Sequence, residues 1–356
     1  MNKNNIIYFD NAASAKPLDE ALEAFNMVAK DFYCNPAALH KGGIEAEKLI
    51  QSAKGWTASC LPKGGTVCFT SGATESNNLA IQNAVKSRGK KKIVTTSVEH
   101  PSVSGAVSRF QFDFEVVRVP PHADILTEVD DSTALVSMTA VCSETGRIIA
   151  NPASYSIIKS RFPQCVVHVD AAQGFMKVPV NADLISVSAH KIGGLPGIGA
   201  LFVKDGIKVN PMLFGGDQQK GLRPGTETTA LASAFAAAIC VNTNSPFDFA
   251  GLHERLIDGL KRLSLRINSK NNVPNIVNFS CGVKSEVMLH FMAEHSIYVS
   301  SGSACARGKK SRILPAYIIP DEDVDTAVRV SFGRQNTAEE VDTFLEVLET
   351  GLKRWK

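Results

Sequence analysis

"LISVSAHKIGGLPGIGALFV", residues 184–203, joins two apolar runs through a loop rich in glycine. Each run has the length and β-branched content of a buried strand. Ser188, His190 and Lys191 stand where the first strand should end. In open α/β sheets ligands bind at the carboxyl edge of the strands. A lysine at that edge can lose solvation, lower its pKa and become a nucleophilic amine able to form a Schiff base. Ser188 and His190 could donate to a phosphate. A plain surface lysine beside a loop would read the same way.

Five further short runs precede this stretch, "TVCFT", "KIVTT", "FEVVRV", "TALVSM" and "CVVHVD", and its own "DLISVS" and "GALFV" close the series at residue 203. Segments with helical spacing or turn residues lie between most of them, beginning with apolar positions 18, 21, 22, 25, 28, 29 and 32. That alternation predicts an α/β domain with a mixed, mostly parallel central sheet. The composition turns polar at "NTNSPFDF", residues 242–249. Beyond it, "NIVNFS", "SEVMLHFMAEH", "AVRVSF" and "TAEEVDTFLEVLETGLKRW" predict a smaller α+β domain. Its last helix should start at a capping box, Thr337 with Glu340.

The 356 residues carry a net charge of only +3, with basic side chains scattered, so no broad footprint for nucleic acid or an anionic membrane is expected. No stretch approaches the roughly 20 apolar residues of a membrane span, and "MNKNNIIYFD" lacks the apolar core of a signal peptide. A cytoplasmic location is the default expectation. Eight cysteines without a CxxC suit reduced thiols rather than disulfides, and no metal site is expected.

Three more pieces carry chemistry. In "VVHVDAAQG", Asp170 ends a buried strand and Gln173 follows; a buried carboxylate needs a cation or several donors. A pyridinium nitrogen would serve, and so would a role as helix N-cap. "CFTSGATESNNLA" places Ser71, Gly72, Ala73 and Thr74 at a helix start, where free N–H groups and small residues make a phosphate cradle. In "SVEHPSV", His100 could lie flat on an aromatic ring or be structural.

These pieces, with "YFDNAASAKP" (8–17), "CNPAALH" (34–40), "GGDQQKGLRPGTE" (215–227), "SSGSAC" (300–305) and "RVSFGR" (329–334), stand in one order and spacing. Over essentially its whole length the chain resembles the cysteine desulfurases, pyridoxal-phosphate enzymes related to class V aminotransferases. The resemblance implies the PLP-dependent transferase fold, fold type I. It also implies a large cofactor-binding domain over residues 16–245, with residues 1–15 and 246–356 forming the small domain. Lys191 would hold pyridoxal 5'-phosphate and, once released by substrate, shuttle protons. Asp170 would keep the pyridine nitrogen protonated, Gln173 would bond the phenolic oxygen, and His100 would stack on the ring and serve in acid–base chemistry. Ala73, Thr74, Ser188 and His190 would hold the phosphate. Thr226 would reach the phosphate of a neighbouring subunit, which implies a homodimer. Arg329 would grip the substrate carboxylate, with Asn35 near the substrate. Where the family commonly has "NNETG", this chain has "CSETG", so Cys142 and Ser143 replace an asparagine pair.

The resemblance makes Cys305 the nucleophile, taking sulfur from L-cysteine as a persulfide and passing it to an acceptor protein for iron–sulfur cluster assembly or thiolation. A free thiol of pKa about 8.5 is only a few per cent thiolate at neutral pH. Arg307, Lys309 and Lys310 lie close in sequence and could lower that pKa, while the other seven cysteines read as small buried side chains. A lyase acting on selenocysteine or cysteine sulfinate is the enzyme alternative. The non-enzyme alternative is a catalytically weak sulfur-assembly or nucleic-acid-binding scaffold.

Overall fold

A computed structural model describes residues 6–85, 89–302 and 311–355. Cys305, Arg307, Lys309 and Lys310 therefore lie outside the described residues. In chain order the first elements are β1 (Ile7–Tyr8), α1 (Asp19–Asp31), α2 (Lys41–Ser59), β2 (Gly65–Thr70), α3 (Ala73–Ala84), β3 (Lys92–Thr96), α4 (Pro101–Ser108) and β4 (Glu115–Val119). Next come β5 (Thr133–Thr139), α5 (Pro152–Arg161), β6 (Val166–Asp170), β7 (Leu184–Ser188), β8 (Gly199–Lys204) and α6 (Thr229–Asn244). The chain continues with α7 (Ala250–Arg262), β9 (Arg266–Ile267), β10 (Ile276–Ser280), α8 (Ser285–Glu294), β11 (Ile297–Tyr298), α9 (Asp321–Val324), β12 (Ala327–Ser331) and α10 (Ala338–Trp355).

All the apolar runs read as strands up to residue 203 join one seven-stranded sheet of order β2-β8-β7-β6-β5-β3-β4. Its pairs are parallel except that β8 runs antiparallel to both β2 and β7. Central strands read as continuous apolar runs because helices cover both faces. Consecutive residues go to opposite sides, as the pleat requires. Ile93, Leu135, Leu184 and Leu201 pack with Leu79, Ile81 and Val107 of α3 and α4. Their neighbours Val94, Val136, Ile185 and Phe202 pack with Ala21, Ile50, Ala53 and Phe235 of α1, α2 and α6.

A second core gathers Leu256, Leu260, Phe279, Phe291, Val328, Val330, Phe344 and Leu348 around the antiparallel sheet β12-β10-β9. The N-terminal strand belongs to this core: β1 pairs in parallel with β11, and Phe9 sits edge-on to Phe332 and Phe344 at 5.5 and 5.9 Å. Ala12, three residues later, already packs in the core of the large sheet. Val273 and Ile276 also pack into the large sheet's core, so contacts cross the proposed division at residues 15/16 and 245/246. The capping box is present: the Thr337 N–H donates to Glu340 Oε2 at 3.2 Å, and the Glu340 N–H to Thr337 Oγ1 at 3.3 Å.

Candidate active site

Thr139, Asp170 and Ser188 end parallel strands β5, β6 and β7, while Gly199 begins the reversed β8. All four therefore lie at one edge of the sheet, where a cavity of about 340 Å³ opens. That volume suits a small organic ligand. Lys191 closes a single helical turn after β7, and its Nζ donates to the carbonyls of Ala12 at 2.5 Å and Ala13 at 2.9 Å. The Gln173 amide donates to the same Ala12 carbonyl at 2.6 Å. The N-terminal segment thus forms a floor for the lysine, fixed by the Ala12 N–H donating to Ser331 Oγ at 2.8 Å. His190 meets Ser14 Oγ at 3.2 Å; burial, and then the Lys191 charge, push its imidazole down to about 4, so the ring is neutral at pH 7.

Asp170 is 3% exposed and has no cation within ion-pair distance among the described residues. Its Oδ1 accepts the Ala172 N–H at 3.0 Å, a local turn bond, and its Oδ2 accepts from Asn77 Nδ2 at 2.8 Å. Two neutral donors leave capacity on a carboxylate, which has about four lone-pair sites. His100 caps α4 by accepting the Ser102 N–H, a structural role, and it also lines the cavity.

Helix α3 begins at Gly72, which supplies no side-chain cap and has a φ of +155° that suits glycine. The first-turn N–H groups of a helix have no intrahelical acceptor, and Ala73 and Thr74 line the cavity. Arg329, only 1% exposed, lines the same cavity. Its guanidinium donates to Asp10 Oδ1 at 2.6 Å and to the Ser143 carbonyl at 2.8 Å. Arg329 Nε and Gln173 Oε1 are buried without a hydrogen-bond partner among the described residues. Buried unpaired polar atoms are costly, and both belong to side chains that line the cavity.

The structure brings Ala73, Thr74, His100, Asp170, Gln173, Ser188, His190, Lys191 and Arg329 to one cavity. It does not bring Asn35 or Thr226 there. Both are exposed, and Asn35 Oδ1 accepts the Ala37 N–H at 2.9 Å in a local turn. Ser143 lines the cavity and Cys142 packs behind it with Val98 and Ile313. Of the seven cysteines read as buried, Cys68, Cys142, Cys165 and Cys281 are, whereas Cys34, Cys60 and Cys240 are half-buried; all seven are free thiols. Sequence reading missed Asp10, Asn77, Ser102 and Ser14. "DNAAS", "ESNN" and "HPSV" contained them, but nothing local showed what they would face.

The model of the Aminotransferase class-V family matches residues 7–344. The chain is 33% identical to the "NifS/IcsS protein homolog" of Lactobacillus delbrueckii subsp. bulgaricus, over 97% of this chain and 96% of that one. It is 32% identical to "Cysteine desulfurase IscS 1" of Archaeoglobus fulgidus, over 98% and 97%. Among solved structures, a "NIFS-LIKE PROTEIN" superposes with a TM-score of 0.88 at 30% identity, covering 98% of this chain and all of the other. "SspA in complex with cysteine" gives 0.79 at 27% identity, covering 92% and 98%.

Proposed function

The chain belongs to the aminotransferase class-V family, and from that premise we propose that it is a pyridoxal 5'-phosphate-dependent cysteine desulfurase that converts L-cysteine to L-alanine. The observation that carries this reading is the convergence of Lys191, Asp170, His100 and Arg329 on one cavity. The donor set fits the cofactor. The uncapped start of α3 with Thr74, Ser188 and His190 suits a phosphate. Buried Asp170 suits a protonated ring nitrogen, and Lys191 would hold the group through its amine. When bound, the cofactor supplies an electron sink that stabilises negative charge on the carbons of the substrate.

Arg329, which lines the cavity, binds and orients the substrate carboxylate. The Lys191 amine takes the proton from the α-carbon and is the proton carrier of the site. The Cys305 thiolate attacks the substrate's sulfur: one S–S bond forms, the C–S bond breaks, and the proton lost by the Cys305 thiol ends on the carbon of alanine. No oxidant is required. The persulfide sulfur then passes to an acceptor protein, for iron–sulfur cluster assembly or thiolation. Asn35 and Thr226, exposed in one protomer, are assigned to a site shared across a homodimer. The free thiols fit a reducing compartment, the cytoplasm.

Purified protein incubated with L-cysteine tests this reading. Alanine should appear together with one extra sulfur on Cys305 by mass spectrometry. Lys191→Ala should remove the yellow absorbance and both products. Cys305→Ala should stay yellow and lose both products, and turnover of L-cysteine by Cys305→Ala at the parental rate would sink the proposal.

A further inference from the structure

A chain of side chains runs from Asp170 to His100, and each link has a fixed direction. Asn77 is fully buried and its Nδ2 lies 2.8 Å from Asp170 Oδ2. Only the amide NH₂ can face a carboxylate, so Asp170 fixes which way Asn77 is turned. The second hydrogen of that NH₂ goes to Ser102 Oγ, also at 2.8 Å. The Ser102 hydroxyl therefore accepts from Asn77 and has one hydrogen left to give. Its other neighbour is His100 Nδ1 at 2.7 Å. The same Nδ1 accepts the Ser102 backbone N–H at 3.2 Å. Two donors aimed at Nδ1 leave it without a proton, so the ring proton sits on Nε2.

We propose that Asn77 and Ser102 are positioning residues which hold His100 as the neutral Nε2–H imidazole, through a hydrogen-bond relay in which Asn77, anchored on Asp170, donates to Ser102 and Ser102 donates to His100. This deepens the reading above and rests on it for the use of His100, while the relay itself is built only of this chain's own groups. In this tautomer His100 presents a donor from Nε2 and cannot take a proton there. Protonation at Nδ1 requires the Ser102 hydroxyl to turn and the Ser102 N–H to lose its acceptor. The charges that face the ring are Asp170 at the end of β6, Lys191 after β7, and Arg312. Glu99, its neighbour in sequence, is turned toward Thr96 and Thr139. Burial, with Lys191 and Arg312 adding to it and Asp170 opposing, holds the imidazole below its usual range, in accord with a neutral ring.

Nitrogen NMR of ring-labelled, cofactor-loaded protein tests the relay, with His100 picked out of eight histidines by its loss in His100→Gln. The parent should show a protonated Nε2 and a bare Nδ1. Ser102→Ala removes one donor to the neutral ring and should raise its titration midpoint by about half a unit to one unit. Ser102→Thr, which keeps the hydroxyl, should restore the parental midpoint. Asn77→Ala should raise it as well, and the double variant should move it no further than Ser102→Ala alone, since both act through one hydroxyl. A parental ring protonated on Nδ1, an unmoved midpoint in Ser102→Ala, or additive shifts would overturn the proposal. If Asn77→Ala does not fold, the two variants at half-buried Ser102 still decide. A chain that shows the relay but makes no alanine from cysteine would defeat the desulfurase reading alone.

Discussion

Glu99 shows how far a single side chain can depart from its ordinary behaviour. It is 3% exposed; its Oε1 accepts from the Thr96 hydroxyl and, at 2.8 Å, from the Thr139 N–H, while Oε2 has no hydrogen-bond partner among the described residues. Burial, with the Asp170 charge adding to it, pushes the carboxyl up to about 8 against the two hydrogen bonds, so it is neutral at pH 7. The folded state keeps a proton that the unfolded chain releases above about 4.3. The stability that this group contributes is therefore fully present in mild acid and is lost as the pH rises toward 8. Glu99→Gln removes the titration and keeps the shape. Urea denaturation at pH 5 and pH 8 should show the parent losing on the order of a few kcal/mol relative to the variant between the two. An equal gap at both would contradict a buried proton. At this scale Lys191, Asp170 and Gln173 were legible because they follow strand ends. Asn77 and Asp10 were not, because their partners lie 93 and 319 positions away in the chain.

Strands were the most legible elements, since a sheet buried on both faces writes itself as apolar runs. The junction between elements was less so. Gly199 opens β8 directly against the cradle: a Cβ there would stand 2.5 Å from the Val187 carbonyl and 2.7 Å from Gly72 Cα. Both obstacles are backbone, which gives way poorly. Gly199→Ala should cost about 1–3 kcal/mol of stability. By shifting Gly72 it should also weaken the apoprotein's hold on pyridoxal phosphate by about tenfold, roughly 1.4 kcal/mol, in an absorbance titration. Parental affinity would separate the cradle from β8. Gly105, exposed inside α4 with nothing within 4 Å of its Cβ position, is the contrast. Gly105→Ala should raise stability by about 0.5–1 kcal/mol, because alanine loses less chain entropy in a helix. No contact in the sequence distinguished these two glycines; only the packing does.

The whole molecule joins its two cores at the site. β12 of the second core presents Arg329 to Asp10, which follows β1, so the arginine proposed to bind substrate is held by the element that ties the N-terminus to the C-terminal sheet. The homodimer proposed above would complete the other side of the same site. Asn35 and Thr226 lie exposed, in segments that also expose Tyr33 at 80%, Leu39 at 95% and Phe214 at 92%. Large apolar side chains this exposed suit a protein interface. With the shared site proposed above, they assign this face to a second copy of the chain. Sedimentation should give the mass of a dimer for the parent. Phe214→Glu places a charge where the interface needs an apolar contact, and should shift the protein to monomer with unchanged far-UV circular dichroism. If Thr226 reaches the partner's phosphate, the same variant should also bind pyridoxal phosphate more weakly. A monomeric parent that holds the cofactor and turns over cysteine would remove the shared site and leave Asn35 and Thr226 without their assigned roles.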